Sequence, residues 1–222
     1  MHPSHPSLKT RILSLAASAL LTVAASSVAT LADAQTVSSP VPDQVQEDWQ
    51  LVVTTPDALA VGPQITTVMS PDSGANSPFI AFDLNYHEFP FFYPGGMQVQ
   101  VWSGNNVLDT ASQGYAVLNT QSETITWTQQ MYVSQGTLVY DVDNGQSTTW
   151  GQFGQGDYLQ VSYPTTLTDL GAYDPNVSAK RSGVTWESNR VSSLTLLRVR
   201  YYSKGQLIST NTNPIVVFAQ TQ

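Results

Sequence analysis

The chain has 222 residues, no cysteine and a formal net charge of −8, with 16 acidic against 8 basic side chains. The lack of cysteine excludes disulfide cross-links and cysteine nucleophiles, and the acidic balance disfavours nucleic-acid binding because the protein repels phosphate backbones. Of the three histidines, only His87 lies beyond residue 34. This disfavours a catalytic triad and a histidine-rich zinc site in the mature chain.

Residues 1–34 have the pattern of a secretory signal peptide. Lys9 and Arg11 precede an apolar run that ends in the sequence Ala-Asp-Ala before Gln35. A positively charged N-terminal region, an apolar stretch and a small-x-small cleavage site are typical of exported proteins. We expect cleavage before Gln35, a mature chain in the periplasm or outside the cell, and no stable membrane anchor after cleavage. The alternative is a retained membrane helix, which the many hydroxyl side chains in the run disfavour.

Residues 35–48 are predicted to be a disordered leader. They contain Pro40, Pro42, two serines and three acidic residues, and too few apolar side chains to offset the entropy of ordering. Residues 49–222 are then predicted to form a single domain. Removal of the first 34 residues leaves 188, which is enough for one hydrophobic core.

From Trp49 onward the pattern is that of strands. Residues 97–102 and 124–129 alternate apolar with polar side chains, which indicates antiparallel strands with one buried face. About ten or eleven strands can be counted, and the best helix candidate is residues 165–173. We predict an all-β fold, an antiparallel β-sandwich of jelly-roll or lectin-like type with at most one or two short helical turns.

Turn sequences separate the strands at short intervals. Residues 103–106 and 203–206 each contain glycine between two strand patterns and predict hairpins. The sequence Asp143-Asn144-Gly145 is the strongest hairpin signal, and it predicts a turn between residues 137–142 and 146–150.

No catalytic residue is assigned from the sequence. A carbohydrate-active enzyme would need two carboxylates across a cleft, and Glu123 and Glu187 are the candidates because each lies near a tryptophan. The non-catalytic alternative is that both residues are carboxylates at strand ends that face water.

Two predicted loops, residues 87–96 and 149–158, concentrate aromatic side chains among glycine and proline, which suits a glycan-binding surface. The candidate ligand-binding residues are Phe91, Phe92, Tyr93, Trp150, Phe153 and Tyr158. The alternative is that these rings cap the ends of the sandwich.

No cofactor or metal site is assigned, but a loop calcium ion is a hypothesis. Its candidate ligands are Asp157, Asp169 and Asp174, since carboxylates in extracellular loops suit calcium.

A polar, nearly uncharged sheet face is a further expectation. Its predicted members are Gln98, Gln100, Thr124, Thr126 and Thr128, all at alternate positions of strand patterns. Such a face would bind a glycan, pair with another sheet, or simply be exposed to solvent.

Every basic residue beyond Gln35 falls between Lys180 and Lys204. This basic segment either offsets the charge of the acidic strands or forms a local anion-binding patch.

Three functions follow from these patterns. The first is a secreted or periplasmic, non-catalytic sandwich that binds an extracellular glycan or an envelope protein. The second is a carbohydrate-active enzyme that uses a carboxylate pair. The third is a structural envelope component.

Overall fold

The computed structural model describes residues 39–54, 63–74, 77–85, 95–113, 118, 122–186 and 188–220. The predicted signal peptide, residues 1–34, lies outside these ranges. Within them are thirteen strands: β1 Gln44–Val53, β2 Gln64–Met69, β3 Phe79–Leu84, β4 Met97–Ser103, β5 Asn106–Gln113, β6 Glu123–Ser134, β7 Thr137–Ser147, β8 Gly151–Phe153, β9 Gln160–Pro164, β10 Gly183–Thr185, β11 Val191–Ser203, β12 Gln206–Asn211 and β13 Ile215–Ala219. One α-helix, α1, spans Pro175–Arg181, and a short 3-10 helix spans Ser188–Arg190. Among the described residues no helix is long and apolar enough to cross a membrane.

The strands form two antiparallel sheets. The large sheet has eight strands in the order β12-β11-β1-β6-β7-β8, with β13 also on β11 and β9 also on β7. The small sheet has five strands in the order β10-β2-β3-β4-β5. Apolar side chains from both sheets pack into one buried cluster between them. The predicted all-β antiparallel sandwich is confirmed.

Strand alternation places the core as the sequence predicts. In β4, Met97, Val99 and Val101 are buried, whereas Gln98 and Gln100 between them are half-buried. Period-2 alternation therefore separates a core face from a polar face in this strand. The hairpins predicted at residues 103–106 and 203–206 are also present, since they join β4 to β5 and β11 to β12.

The predicted disordered leader needs correction at its end. Strand β1 begins at Gln44, so residues 44–48 are ordered rather than part of a leader. They pair with β6 on one side and β11 on the other, and Val45 and Glu47 are fully buried. The backbone hydrogen bonds to two neighbouring strands offset the ordering entropy, although acidic side chains are depleted in strands.

The hairpin predicted at Asp143-Asn144-Gly145 is wrong. Strand β7 continues through these residues, and its register against β6 shifts between Thr126 and Thr128, which marks a β-bulge. Asn144 has a φ of 55°, and a Cβ on Gly145 would lie 2.2 Å from the ring of Phe153. The Asn-Gly pair therefore lies in a bulge and allows a close contact with the Phe153 ring, instead of forming a turn.

The helix predicted at residues 165–173 is also displaced. The helix is α1, and the side chain of Asp174 accepts a hydrogen bond from the backbone N–H of Asn176 at its start. Pro175 occupies the first turn, where proline has no hydrogen bond to lose, so it begins a helix instead of ending one.

Candidate functional site

Glu123, a predicted catalytic candidate, is tied to a turn. Its Oε2 accepts hydrogen bonds from Ser147 Oγ at 2.7 Å and the Thr148 backbone N–H at 2.6 Å, and its Oε1 accepts one from the hydroxyl of Thr149. The side chain is buried. This carboxylate holds the turn after β7, while Glu187 lies outside the described residues, so their catalytic role stays a prediction.

The predicted aromatic ligands divide into two groups. Phe91, Phe92 and Tyr93, with His87, lie outside the described residues. Trp150 and Phe153 belong to the core, where their rings meet edge to face with centroids 6.3 Å apart. Tyr158 is half-buried, and its hydroxyl accepts a hydrogen bond from the Gly154 backbone N–H at 2.9 Å. Trp150 and Phe153 thus have a packing role, and a ligand role for the three residues of this group stays a prediction.

The three aspartates proposed for calcium lie in separate local structures. Asp174 caps α1, Asp169 accepts a hydrogen bond from the Gly171 backbone N–H at 2.9 Å, and Asp157 precedes β9 with a φ of 60°. In the part of the chain that the structure describes, no group of three or more histidine or acidic side chains could hold a metal ion.

The face predicted from alternating glutamine and threonine residues is split between two sheets. Gln98 and Gln100 belong to β4 of the small sheet, whereas Thr124, Thr126 and Thr128 belong to β6 of the large sheet. Alternation predicts which residues share a face of one strand, but it does not say which strands are neighbours.

The richest polar groupings lie on the two sides of β1. Val45, Glu47, Trp49, Leu51 and Val53 are buried on its inner side, and the residues between them lie on the outer side of the large sheet. Two consecutive carboxyl groups, those of Glu47 and Asp48, therefore point to opposite sides of the sheet.

On the inner side Glu47 is the centre of a buried network. Its Oε2 accepts hydrogen bonds from Trp49 Nε1 at 2.8 Å and Gln129 Nε2 at 2.5 Å, and its Oε1 accepts one from the hydroxyl of Tyr173. Burial raises the pKa of Glu47 to about 7, and the hydrogen bonds from these three partners oppose that rise.

Gln129 extends this buried network to the opposite sheet. Its Oε1 accepts hydrogen bonds from Tyr140 Oη on β7 and from Thr67 Oγ1 on β2, each at 2.9 Å. Glu47 and Gln129 are both fully buried, so the network joins the two sheets without a face open to a ligand. We interpret it as a structural element.

On the outer side the large sheet carries the grouping that we call the outer polar face. Four strands contribute to it: β1, β6, β7 and β11. Its members are Gln44, Gln46, Asp48, Thr128, Gln130, Tyr132, Asp141, Arg198, Arg200 and Tyr202.

An ion-pair cluster forms one end of the outer polar face. Asp48 Oδ2 lies 2.6 Å from Arg198 Nη2, and Asp48 Oδ1 lies 2.7 Å from Arg200 Nη2. Thr128 Oγ1 also donates to Asp48 Oδ1, at 2.9 Å. One carboxylate therefore orients two guanidinium groups and one hydroxyl.

Amide groups continue the network towards β7. Arg200 Nη1 donates to Tyr202 Oη at 3.3 Å, and that hydroxyl donates to Gln46 Oε1 at 3.1 Å. Gln46 Nε2 donates to Gln130 Oε1 at 3.0 Å, and Gln130 Nε2 donates to Asp141 Oδ2 at 3.2 Å. A continuous chain of hydrogen bonds thus crosses the sheet from Arg198 to Asp141.

Asp141 is the most enclosed carboxyl group of this face, with 6% of the residue exposed. Burial raises its pKa to about 6, the hydrogen bond from Gln130 opposes this rise, and the charges of Asp143 and Asp157 add to it. The side of the face near β7 is therefore acidic, whereas the side near β11 holds both arginines.

A groove of about 410 Å³ opens at the ion-pair end of the face. Its polar lining comes from Asp48, Thr126, Thr128, Asn144, Arg198 and Thr212. A second groove, of about 450 Å³, is lined by three prolines, Tyr163, Leu167 and two threonines, with Asp72 as its one charged residue. The first groove offers more groups that can bind a polar ligand.

Sequence reasoning missed most of this face because it placed residues 44–48 in a disordered leader. The usable signal was the alternation of Gln44, Gln46 and Asp48 with Val45 and Glu47, which has period two.

Comparisons with known proteins give no family. No protein-family model and no curated protein sequence matches the chain. A crystal structure of Scytalido-glutamic peptidase with a peptide-based transition state analogue is similar with a TM-score of 0.32 and 9% identity, over 79% of this chain and 82% of that one. Tailspike protein 2 of Escherichia coli O157:H7 bacteriophage CAB120 is similar with a TM-score of 0.30 and 11% identity, over 75% of this chain and 21% of the tailspike. Both similarities are too distant to transfer a function, so the chain's own side chains must indicate it.

Proposed function

We propose that this protein is an exported, non-catalytic β-sandwich that binds a glycan on its outer polar face. The observation that carries the proposal is the continuous hydrogen-bond network from Arg198 to Asp141, which holds its side chains in place across four strands. The signal-peptide pattern of residues 1–34 supports the exported location.

The chemistry of the face suits a sugar. Carbohydrates present many hydroxyl groups, each able to donate and accept, together with apolar C–H faces. The outer polar face supplies amides at Gln44, Gln46 and Gln130, and half-buried rings at Tyr132 and Tyr202. Because the network already orders these groups, a ligand would cost them little further entropy on binding.

Binding to a glycan array, followed by calorimetry on any hit, tests the proposal. Gln130→Leu removes the acceptor for Gln44 and Gln46 and the donor to Asp141, and it should weaken binding roughly tenfold or more, equivalent to about 1.4 kcal/mol. Gln113→Leu is the matched control because Gln113 is an exposed glutamine on β5 of the small sheet.

Other outcomes would redirect the proposal. Equal losses in Gln130→Leu and Gln113→Leu would place the binding site elsewhere. Release of reducing sugar by the unaltered protein would favour the carbohydrate-active enzyme. Absence of glycan binding, with capture of one envelope protein or with self-assembly, would favour the partner-binding or the structural alternative.

A further inference from the structure

Tyr132 and Tyr202 occupy matched positions on the outer polar face. Gln44 of β1 pairs with Tyr132 on β6 and with Tyr202 on β11, so the two tyrosines flank one glutamine in the same cross-strand row. Neighbouring strands are about 4.8 Å apart, which puts the two tyrosine backbones roughly 10 Å apart. This arrangement places two aromatic rings along a line that runs across the strands.

Both rings can present a surface to a ligand. Each tyrosine is half-buried. The hydroxyl of Tyr202 lies between Arg200 and Gln46, which it contacts at 3.3 and 3.1 Å, so the orientation of this ring is defined. Aromatic faces of this kind pack against the apolar faces of pyranose rings.

Between the rings, Gln44 supplies hydrogen-bonding capacity. Its Nε2 donates to Gln130 Oε1 at 2.8 Å, while its own Oε1 accepts no hydrogen bond from the described residues. An amide carbonyl with two lone pairs can accept a hydrogen bond from a sugar hydroxyl between the two stacked units.

The charges near this row disfavour a charged polymer. The two arginines of the face are paired with Asp48. Burial makes the largest contribution to the raised pKa of the Tyr132 hydroxyl, and the nearby charges of Asp141 and Asp157 raise it further. A polyanion would be repelled at the Tyr132 end, and a polycation would meet the arginines at the other end.

From this placement we propose the ligand class: an extended, uncharged chain of pyranose units that lies across the strands, with its apolar faces on Tyr132 and Tyr202. This inference rests on the proposed function and specifies its ligand. An extended chain suits this row because the two tyrosine backbones lie roughly 10 Å apart on one sheet face, so a straight chain can pass over both residues.

The test is isothermal titration of the purified protein with four hexasaccharides. Two are extended and neutral, cellohexaose and mannohexaose; one is curved and neutral, maltohexaose; one is extended and anionic, hexagalacturonate. We expect an extended neutral hexasaccharide to bind best. We expect Tyr132→Ala and Tyr202→Ala each to weaken that binding roughly tenfold, the loss of one stacking contact.

Trp186→Ala is the control, because Trp186 is an exposed aromatic residue that follows β10 of the small sheet and is 46% exposed. It should leave binding unchanged. Tyr132→Phe separates stacking from folding, since it keeps the ring and should retain most of the affinity lost in Tyr132→Ala. Unfolding curves of all variants show whether the sandwich is intact.

The outcomes separate this inference from the proposed function. A preference for hexagalacturonate or maltohexaose would overturn the ligand class while glycan binding stands. Binding of the extended hexasaccharides that survives both tyrosine substitutions would overturn the stacking arrangement. If neither these hexasaccharides nor an array yields binding, the proposed function itself fails.

Discussion

Glu47 and Asp48 are adjacent in sequence, yet they lie in opposite environments. Glu47 is fully buried between the sheets and is solvated by an indole, an amide and a phenol, none of them charged. Asp48 lies on the outer face and is paired with Arg198 and Arg200. The comparison shows that strand alternation decides whether an acidic side chain on β1 ties the core together or organises a surface.

The physical difference between the two carboxyl groups is that only Asp48 has charged partners. Without a charged partner, a buried carboxyl is more stable when protonated, which is why the pKa of Glu47 is raised to about 7. Asp48 instead forms ion pairs with two guanidinium groups, and near the surface such pairs contribute little to folding. We therefore expect changes at Glu47 to affect stability and changes at Asp48 to affect binding.

The largest expected effect is that of Glu47→Ala. It leaves the donors of Trp49, Gln129 and Tyr173 buried without their acceptor and adds a cavity, so the free energy of unfolding should fall by about 3–5 kcal/mol. Urea unfolding of the variant against the unaltered protein measures it. A loss no larger than that of Asp48→Ala would remove the distinction between the two sides of β1.

The next effect is a pH dependence opposite to ordinary acid denaturation. The pKa of Glu47 is raised from 4.5 to about 7, so the unfolded chain releases this proton at lower pH than the folded protein does. Stability from this group is complete below about pH 4.5 and is lost as the pH rises through about 7, by about 3 kcal/mol in total.

Unfolding curves between pH 4.5 and 8.5 measure this loss, and Glu47→Gln is the matched variant. It should flatten the profile but not abolish it, because burial also raises the pKa values of Asp83 and Asp141, each to about 6, with the same sign. An unchanged slope in Glu47→Gln would show that Glu47 is not the titrating group.

A smaller loss is expected for Asp48→Asn. It removes the charge that orients Arg198 and Arg200, and we expect about 1 kcal/mol of stability to be lost, with the difference shrinking as salt is added. Thermal unfolding at low and high salt measures this change. Its effect on glycan affinity should exceed that of Gln113→Leu; a silent substitution would argue against the ion-pair end as part of the binding face.

The smallest effect is that of Thr67→Val. The substitution keeps the shape of the side chain but removes the hydrogen bond to Gln129 Oε1, and should cost about 0.5 kcal/mol, because that oxygen still accepts from Tyr140 Oη. Thr124→Val on the exposed side of β6 is the control and should be near neutral. Equal effects at the two positions would mean that the contact between the sheets at Gln129 adds no stability.

Local patterns predicted much of the fold. Alternation in β4 and β6 and the glycine turns at residues 103–106 and 203–206 gave strands and hairpins that the structure contains. They could not separate the Asn-Gly bulge in β7 from a hairpin, because a positive φ at Asn144 suits either.

The candidate site was harder to predict than the fold. The outer polar face needs β1 between β6 and β11, so it combines Gln44 with Tyr132 and with Tyr202, partners 88 and 158 positions away in the sequence. Alternation alone instead suggests grouping Gln98 with Thr126, two residues that belong to different sheets.

The sequence by itself determined the strand content, the alternation that separates core from surface along a strand, and the acidic balance, because these depend on neighbouring residues and on composition. Only the tertiary structure decided which strands lie side by side, and therefore that Glu47 meets Gln129 while Asp48 meets Arg198 and Arg200. The physical reason is that a β-sheet is stabilised by pairing between distant segments, whose register is selected by the packing of the whole sandwich rather than by any one strand.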